Sequence, residues 1–402
     1  MLNLSDRPGA GAHPAFSLGS LWYDEAVRGV AIQILVLAGV FATAAWMIAN
    51  VVANFAILDK TFGFDFLWRL PANYDINQTL IEYSNKDTHL RAAVVGLINT
   101  GLVAFLGIIL ATVLGFLVGI LRLSDNWLVS RIAYCYVEFT RNTPVLLLIL
   151  LWHGIIINTL PHPRQAMAIG DAAFLTNRGF YVPRPLFETG FEWVALALGA
   201  ALVAAFLVRR HVRRVREATG RQLPGGWMAA ALIVGLPGLT FVAVGAELSF
   251  DMPALRGFNF RGGLYLTPEL VALTWALAFY TSGFIAENVR AGILAVDKGQ
   301  VEASQALGLP RRRVLSLVVL PQALRVIIPP LTSQYLDLTK NSSLAIAIGY
   351  MDLVATLGGI TLNQTGREIE CMMLVMLVYL AISLTISVFM NWYNRHVRLV
   401  ER

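Results

Sequence analysis

Charged residues are scarce in this sequence. Asp, Glu, Lys and Arg make up 14% of its 402 residues, and hydrophobic residues make up 57%. A soluble domain carries about 25% charged residues. The composition therefore argues against a soluble protein and predicts that lipid is the main solvent.

Residues that bind metals or form disulfides are also few. The two cysteines, Cys135 and Cys371, lie inside apolar runs, where a thiol packs as a small apolar side chain. The six histidines are scattered without the spacing of metal ligands. We expect no metal site, and no catalytic cluster supports a membrane enzyme.

A nucleotide-binding loop is missing as well. None of the four lysines, Lys60, Lys86, Lys298 and Lys340, follows a glycine-rich loop of the phosphate-binding type. We therefore expect this chain to bind no cofactor, so any ATP-driven work needs a second chain. The net charge of +6 does not indicate nucleic-acid binding, because the basic residues gather in particular loops.

Long apolar runs are abundant. About 20 apolar residues cross a bilayer as a helix, and eight segments approach that length. They are 29–54, 94–121, 134–158, 191–208, 227–247, 268–290, 314–349 and 371–392. The fourth is short. The seventh contains Pro329-Pro330, which predicts a broken helix or a cytoplasmic helix followed by a short span. The sequence thus predicts an all-α polytopic membrane protein with about eight transmembrane helices.

Basic residues between the runs predict the orientation. With the N-terminus in the cytoplasm, the inside segments hold 19 Lys and Arg residues and the outside segments hold 10. We therefore expect both termini in the cytoplasm. Because the chain is polar through Arg28, the first run is predicted to be a retained span and not a cleaved signal.

The strongest local signal lies in a cytoplasmic stretch at 299–321, GQVEASQALGLPRRRVLSLVVLP. Ala303, Ala306 and Leu307 share one helical face, where small side chains would let a short helix enter a partner's groove. Gly308, followed by Leu309-Pro310, ends that helix. Spacing alone leaves two alternatives open, a docking helix and an ordinary basic loop.

This stretch resembles the EAA loop of ABC importer permeases, with Ser304 in place of the second alanine of that loop. The matching residues are Glu302, Ala303, Gly308, Val318, Leu320 and Pro321. Three more segments are similar to polar amino acid permeases: YVEFTRNTPVLLLIL at 136–150, FIAENVRAGILAVDKGQ at 284–300 and LTKNSSLA at 338–345. The resemblance covers about residues 90–158 and 268–392. The extended form, including LRGFNFRGGLYLTPE at 255–269, looks like the larger permease subunit of general L-amino acid ABC importers.

The resemblance implies a five-helix type I ABC importer core in a bacterial inner membrane. It implies as partners a second permease subunit, two ATPase subunits that hold ATP and Mg, and a periplasmic amino acid-binding protein. The residues that it implies for coupling to the ATPase are Gln300, Glu302, Ala303, Ser304, Ala306, Leu307, Gly308 and Arg311.

The expected organisation follows from the spans and the resemblance. It comprises a cytoplasmic N-terminus (1–28), an extra span with a periplasmic loop (29–90), the first part of the core (91–158), an insertion with two spans (159–267), the second part of the core with the coupling loop 299–321 (268–392), and a cytoplasmic C-terminus (393–402).

Three acid–base pairs stand at i, i+3 spacing in or beside spans, which places each acid next to its base on a helix. They are Glu138–Arg141, Glu287–Arg290 and Asp337–Lys340. A charge inside the membrane costs roughly 2.5–3.5 kcal/mol on insertion scales, so each pair needs a role. The first two are predicted near the cytoplasmic mouth, where they either tie helix ends together or act as a gate.

Polar residues deeper in the spans are candidates for a substrate path. They are Asn142, Thr143, Thr281, Ser282, Asp337, Lys340, Asn341 and Ser342. Every amino acid presents one ammonium and one carboxylate, and this set offers acceptors and donors for both. The alternative is that these residues only satisfy one another between helices.

The sequence therefore predicts a permease subunit of an ATP-driven amino acid importer that works by alternating access. The alternative is an ion-coupled secondary amino acid transporter. That class needs repeated halves and coupling carboxylates near the midplane, and the sequence shows no evident repeat.

Overall fold

The computed structural model describes residues 25–58, 60–170, 172–221 and 223–397. The predicted cytoplasmic N-terminus and the end of the chain lie largely outside these residues. The chain divides into two compact units, with the boundary between Phe64 and Asp65. The first unit contains α1 (Glu25–Ile57), whose most apolar window has a mean hydropathy of 2.1.

The second unit is built mainly of helices. They are α2 (Phe66–Arg69), α3 (His89–Leu121), α4 (Trp127–Asn142), α5 (Val145–Thr159), α6 (Phe191–Thr219), α7 (Gly225–Val244), α8 (Pro268–Leu294), α9 (Lys298–Ala306), α10 (Arg311–Val314), α11 (Leu320–Asn341), α12 (Leu362–Thr365) and α13 (Glu368–Val397). Short 3₁₀ segments occupy Pro163–Gln165 and Ser342–Ile348, and π-helical segments occupy Leu315–Val319 and Val354–Thr361.

Seven helical segments in the described ranges are long and apolar enough to cross a membrane, and α4 with α5 brings the number to eight if they form one span. The prediction of an all-α membrane protein with about eight spans is thus confirmed. Side-chain caps begin several of the helices: Thr88 accepts from Arg91 N, and Thr267 accepts from Leu270 N.

Three of the predicted spans differ from the structure. The third is not straight, because α4 and α5 meet at 110° around Thr143 and Pro144, where proline disfavours a helical residue before it. In the seventh, Pro329 and Pro330 lie inside the continuous helix α11, and the change to 3₁₀ geometry comes only at Ser342. The fourth is longer than predicted, since α6 runs on to Thr219.

Helix α8 lies at the centre of the core, packed against α3, α4, α5 and α11. Its contact with α3 depends on two glycines. A Cβ placed on Gly115 would lie 2.5 Å from Ile285 Cβ, and one on Gly119 would lie 2.8 Å from Val289 Cβ. Glycine therefore lets the two backbones approach closely, as in many membrane helix pairs.

The described residues include eight short strands, which lie in the connections between α5 and α6 and between α7 and α8. They are β1 (Met167–Ile169), β2 (Ala173–Thr176), β3 (Gly179–Val182), β4 (Arg184–Phe187), β5 (Leu248–Asp251), β6 (Ala254–Arg256), β7 (Asn259–Arg261) and β8 (Leu264–Leu266). An antiparallel sheet has the order β1-β2-β3-β8, with Tyr181 opposite Tyr265, and β4-β5 and β6-β7 form separate pairs. The aromatic rings of Phe174 and Phe260 stack across this region at 4.4 Å.

We predict that Gly115→Ala lowers the free energy of unfolding, because the added methyl group must push α3 away from α8. Overpacking of this kind costs about 1–3 kcal/mol. Gly101→Ala is the matched control, since a Cβ on Gly101 meets nothing within 4 Å. Thermal unfolding of the purified chain in detergent should show a lower midpoint for Gly115→Ala alone, and equal midpoints for the two variants would contradict this account of the packing.

Candidate functional site

A polar cavity of about 220 Å³ opens between α8 and α11. Its lining residues are Tyr280, Thr281, Phe284, Gln334, Asp337, Lys340 and Asn341. Drug-sized ligands occupy cavities of roughly 300–1,000 Å³, so this one suits a smaller molecule. Tyr280 lies 12 residues after the first residue of α8 and 14 before the last, which places the cavity at about the middle of that span.

Four residues of the predicted substrate path line this cavity: Thr281, Asp337, Lys340 and Asn341. The other four, Asn142, Thr143, Ser282 and Ser342, do not line it. Ser282 is fully buried, where its Oγ lies 2.6 Å from the Tyr136 hydroxyl and donates to Phe279 O. Ser342 Oγ donates to Thr339 O.

Asn142 and Thr143 lie at the bend between α4 and α5, where their side chains form hydrogen bonds to the backbone of α4. Asn142 Nδ2 donates to Glu138 O, and Thr143 Oγ1 donates to Phe139 O. The prediction that these two residues lie deep in the membrane assumed that the third span is straight. The bend at Pro144 shows that it is not.

The charges of Asp337 and Lys340 are not neutralised by each other. Both side chains are exposed on the surface of the chain, and no ion pair within 4.0 Å joins them in the part of the chain that the structure describes. An exposed charge facing lipid at this depth is unfavourable by roughly 2.5–3.5 kcal/mol. This face of α11 is therefore built to meet water or another protein chain.

Three residues of the cavity lining were not predicted, although helical spacing indicates them: Tyr280, Phe284 and Gln334. Gln334 stands three residues before Asp337 on α11, and Phe284 stands four after Tyr280 on α8. One turn further along this face of α8, the Asn288 Nδ2 atom is buried without a hydrogen-bond partner among the described residues. A buried amide with a free donor is a candidate contact for a polar ligand.

The prediction of an ion pair between Glu138 and Arg141 is wrong, because the two side chains do not meet in the described structure. Glu138 Oε2 instead accepts from Asn142 Nδ2 at 3.2 Å. The Arg141 guanidinium lies over the ring of Phe284, 5.9 Å from its centroid, and Phe284 is one of the residues that line the cavity. The i, i+3 spacing permits a pair, but the rotamers here point the two groups to different partners.

The second predicted pair is present and larger than expected. Arg290 Nη2 lies 2.6 Å from Glu287 Oε1, and Arg122 Nη1 binds the other oxygen of the same carboxylate. Arg122 follows the last residue of α3, and Glu287 is on α8. This three-residue cluster therefore ties α3 to α8 at the end of the bundle where α9 begins.

Helix α9 is the short helix that the sequence predicted. Asp297 caps its start by accepting from Gly299 N. At its end Gly308 has φ +75°, while Gly308 N donates to Gln305 O and Leu309 N donates to Ser304 O. This is the Schellman arrangement, which needs a left-handed residue and favours glycine.

Most of the predicted coupling residues form an exposed surface of α9 and its following turn. They are Gln300, Glu302, Ala303, Ala306, Leu307, Gly308 and Arg311. Leu307 is 82% exposed, although it is a large apolar side chain. Ser304 differs, because it is buried and its Oγ donates to Gln300 O, so it faces this chain's own interior and is not available to a partner.

The comparisons with known proteins agree on the class of protein. Residues 259–399 match the family described as "Binding-protein-dependent transport system inner membrane component". YhdX of Escherichia coli strain K12 is 51% identical, over 96% of this chain and 98% of that one. The general L-amino acid transport system permease protein AapQ of Rhizobium johnstonii is 48% identical, over 96% of each chain. The chain belongs to the amino-acid ABC transporter permeases.

A further relative supports the same assignment over the full length of the permease. The glutamate/glutamine/aspartate/asparagine transport system permease protein BztB of Rhodobacter capsulatus is 48% identical, over 99% of each chain. This permease is therefore a transport subunit with several membrane spans. The comparisons give no support to the ion-coupled alternative.

We predict that Glu287→Gln destabilises the permease, because two arginines lose their shared carboxylate. Hydrogen bonds to charged groups contribute about 1.5–3 kcal/mol. Glu138→Gln is the control, since an amide oxygen can still accept from Asn142. Thermal unfolding in detergent should show a lower midpoint for Glu287→Gln than for Glu138→Gln. The reverse order would contradict the conclusion that Glu287 joins α3 to α8.

Proposed function

We propose that this permease carries L-amino acids into the cytoplasm by alternating access, as one half of a heterodimeric pathway. The observation that supports the proposal best is the cavity at mid-span, which is lined by Asp337, Lys340 and the polar side chains of Thr281, Gln334 and Asn341. Asp337 suits the substrate ammonium, and Lys340 suits the substrate carboxylate. These two groups are common to all amino acids, so the cavity suits several substrates.

A second permease subunit completes the path in this proposal. The exposed charges on α11 stand at a depth where lipid would be unfavourable, and a partner chain with a water-filled path between the two would remove that cost. We infer that the partner covers this face of α11, so that the cavity opens towards the interface. AapQ is named for general L-amino acid transport and BztB for glutamate, glutamine, aspartate and asparagine, which is consistent with recognition of several substrates.

ATP would be bound with Mg by two ATPase subunits, and α9 would be the contact of this chain with one of them. The exposed side chains of Ala303 and Ala306 are small enough for α9 to enter a groove, and the exposed Leu307 supplies an apolar contact. A periplasmic amino acid-binding protein would deliver substrate at the opposite end of the bundle, where the strands lie. In this proposal the chain lies in a bacterial inner membrane with both termini in the cytoplasm, the orientation that the distribution of basic residues favours.

We predict that Lys340→Met lowers transport of many amino acids by similar factors while expression is kept. Loss of one charge-assisted contact should weaken apparent affinity about tenfold to a hundredfold. Uptake of several radiolabelled amino acids into proteoliposomes measures this, with Lys86→Met as control, because Lys86 is exposed in a loop and far from the cavity in sequence.

A purely structural role for Lys340 predicts a different pattern. In that case the double change Asp337→Asn with Lys340→Met should restore expression and transport together, and such a rescue would reject the substrate role. Normal expression of the double variant with transport still lost would support the substrate role.

We predict that Gly308→Val impairs binding to the ATPase, because a left-handed conformation costs roughly 1–2 kcal/mol for a residue with a Cβ. A Cβ at this position meets nothing within 4 Å, so the effect should come from backbone strain and not from a clash. Gly308→Asn is the control, since asparagine tolerates this conformation better. Co-purification and substrate-stimulated ATP hydrolysis should drop for Gly308→Val only, and wild-type values in that variant would reject α9 as the contact.

A further inference from the structure

A second pocket, of about 490 Å³, lies where the end of α3, the start of α4 and the end of α8 meet. Its lining residues are Arg122, Leu123, Ser124, Asp125, Trp127, Ser130, Arg131, Tyr134 and Arg290. It shares no residue with the cavity around Asp337 and Lys340. Neither the transport path nor the coupling helix accounts for a pocket with three arginines.

Two of the three arginines lie over the same aromatic ring, that of Tyr134. The guanidinium carbon of Arg122 lies 5.1 Å from the centroid of Tyr134, and that of Arg131 lies 5.2 Å from it. Arg290 enters from α8 and shares the carboxylate of Glu287 with Arg122. Contact with an aromatic face holds a guanidinium in place and leaves its N–H edge free for another partner.

Positive charge remains in excess in this pocket. Asp125, the acidic residue of its lining, lies 3.5 Å from Arg311, and Glu287 serves Arg122 and Arg290 together. Counting Arg122, Arg131, Arg290 and Arg311 against these two carboxylates leaves two positive charges. The N-terminal end of the 16-residue helix α4 also faces this region and adds positive potential. The pocket is therefore suited to an anion that carries one or two charges.

The surroundings distinguish a lipid anion from a soluble one. Trp127 in the lining is 75% exposed, and Leu128 and Ile132 on α4 and Ile120 on α3 are also exposed apolar residues. Trp is enriched at membrane interfaces, and basic pockets between spans bind lipid headgroups. We propose that this pocket binds the phosphodiester group of an anionic phospholipid, with the acyl chains along the exposed apolar side chains of α3 and α4.

The test uses the transporter purified as a complex with its partners and reconstituted in bilayers of mixed phosphatidylglycerol and phosphatidylcholine. After extraction in mild detergent, native mass spectrometry counts the retained lipids. Arg131→Gln should lower the ratio of retained phosphatidylglycerol to phosphatidylcholine about fivefold, the effect of one arginine at an anionic surface. Arg312→Gln, the same change on an exposed residue outside the pocket, should leave the ratio at the wild-type value.

Several results would overturn the proposal. One is an equal ratio of retained lipids in Arg131→Gln and Arg312→Gln, and another is no preference for phosphatidylglycerol in the wild type. A third is displacement of the lipid by inorganic phosphate, which would assign the pocket to a soluble anion. If an acidic side chain of the ATPase filled the pocket, the wild-type complex would likewise show no preference. Trp127→Ala, at an exposed position, is the second variant should Arg131→Gln fail to assemble, and it should also lower the ratio.

Discussion

The close approach of α3 to α8 is the contact on which the rest of the bundle depends. Lipid is as apolar as a leucine side chain, so helices in a membrane gain little from hydrophobic burial and associate through tight packing. Gly115 and Gly119 on α3 supply that packing. Two glycines of α8 do the same for its other neighbours, since a Cβ on Gly283 would clash with Thr140 of α4 and one on Gly292 would clash with Ile327 of α11.

Because α8 is held on several sides, its two polar regions are fixed relative to each other. Its middle presents Tyr280, Thr281 and Phe284 to the cavity. Its end presents Arg290 to the second pocket, the one lined by Arg122, Arg131 and Arg290, and holds Arg290 through Glu287. The 14 residues from Tyr280 to Leu294 span about 21 Å at 1.5 Å per residue. Helix α9 begins four residues after α8 ends. In the proposed mechanism a movement of α9 thus reaches the cavity through one continuous, tightly packed helix.

Hydropathy and local turn chemistry were enough to predict the approximate number of spans, the short helix α9 and its end at Gly308. Those features depend on residues that are neighbours in sequence. The position of a residue along a span was less informative for the cavity, because that position gives the depth of the residue in the membrane but not the direction in which its side chain points. Thr281 and Ser282 are adjacent, yet the first lines the cavity and the second bonds to Tyr136.

Long-range geometry explains the other differences. A proline lacks an N–H but does not by itself decide where a helix ends, so Pro329 and Pro330 stay within α11 while Pro144 follows a sharp bend. The role of Arg122 was missed because its partner Glu287 lies 165 positions away in the chain. The strands were missed because each is only three or four residues long, and because two of their five pairings, β3 with β8 and β4 with β5, join segments on either side of α6 and α7.

The bend between α4 and α5 has a consequence for how the protein is made. These helices have 16 and 15 residues, about 24 and 22 Å at 1.5 Å per residue, so neither alone crosses a hydrocarbon core of about 30 Å. Backbone groups at such a break cannot be satisfied by lipid and require protein or water beside them. Part of this is supplied within the chain, because Asn142 and Thr143 donate to carbonyl groups of α4 and both helices pack against α8. Since α8 follows α4 and α5 in the chain, the two short helices can settle across the bilayer only after that later helix has been inserted.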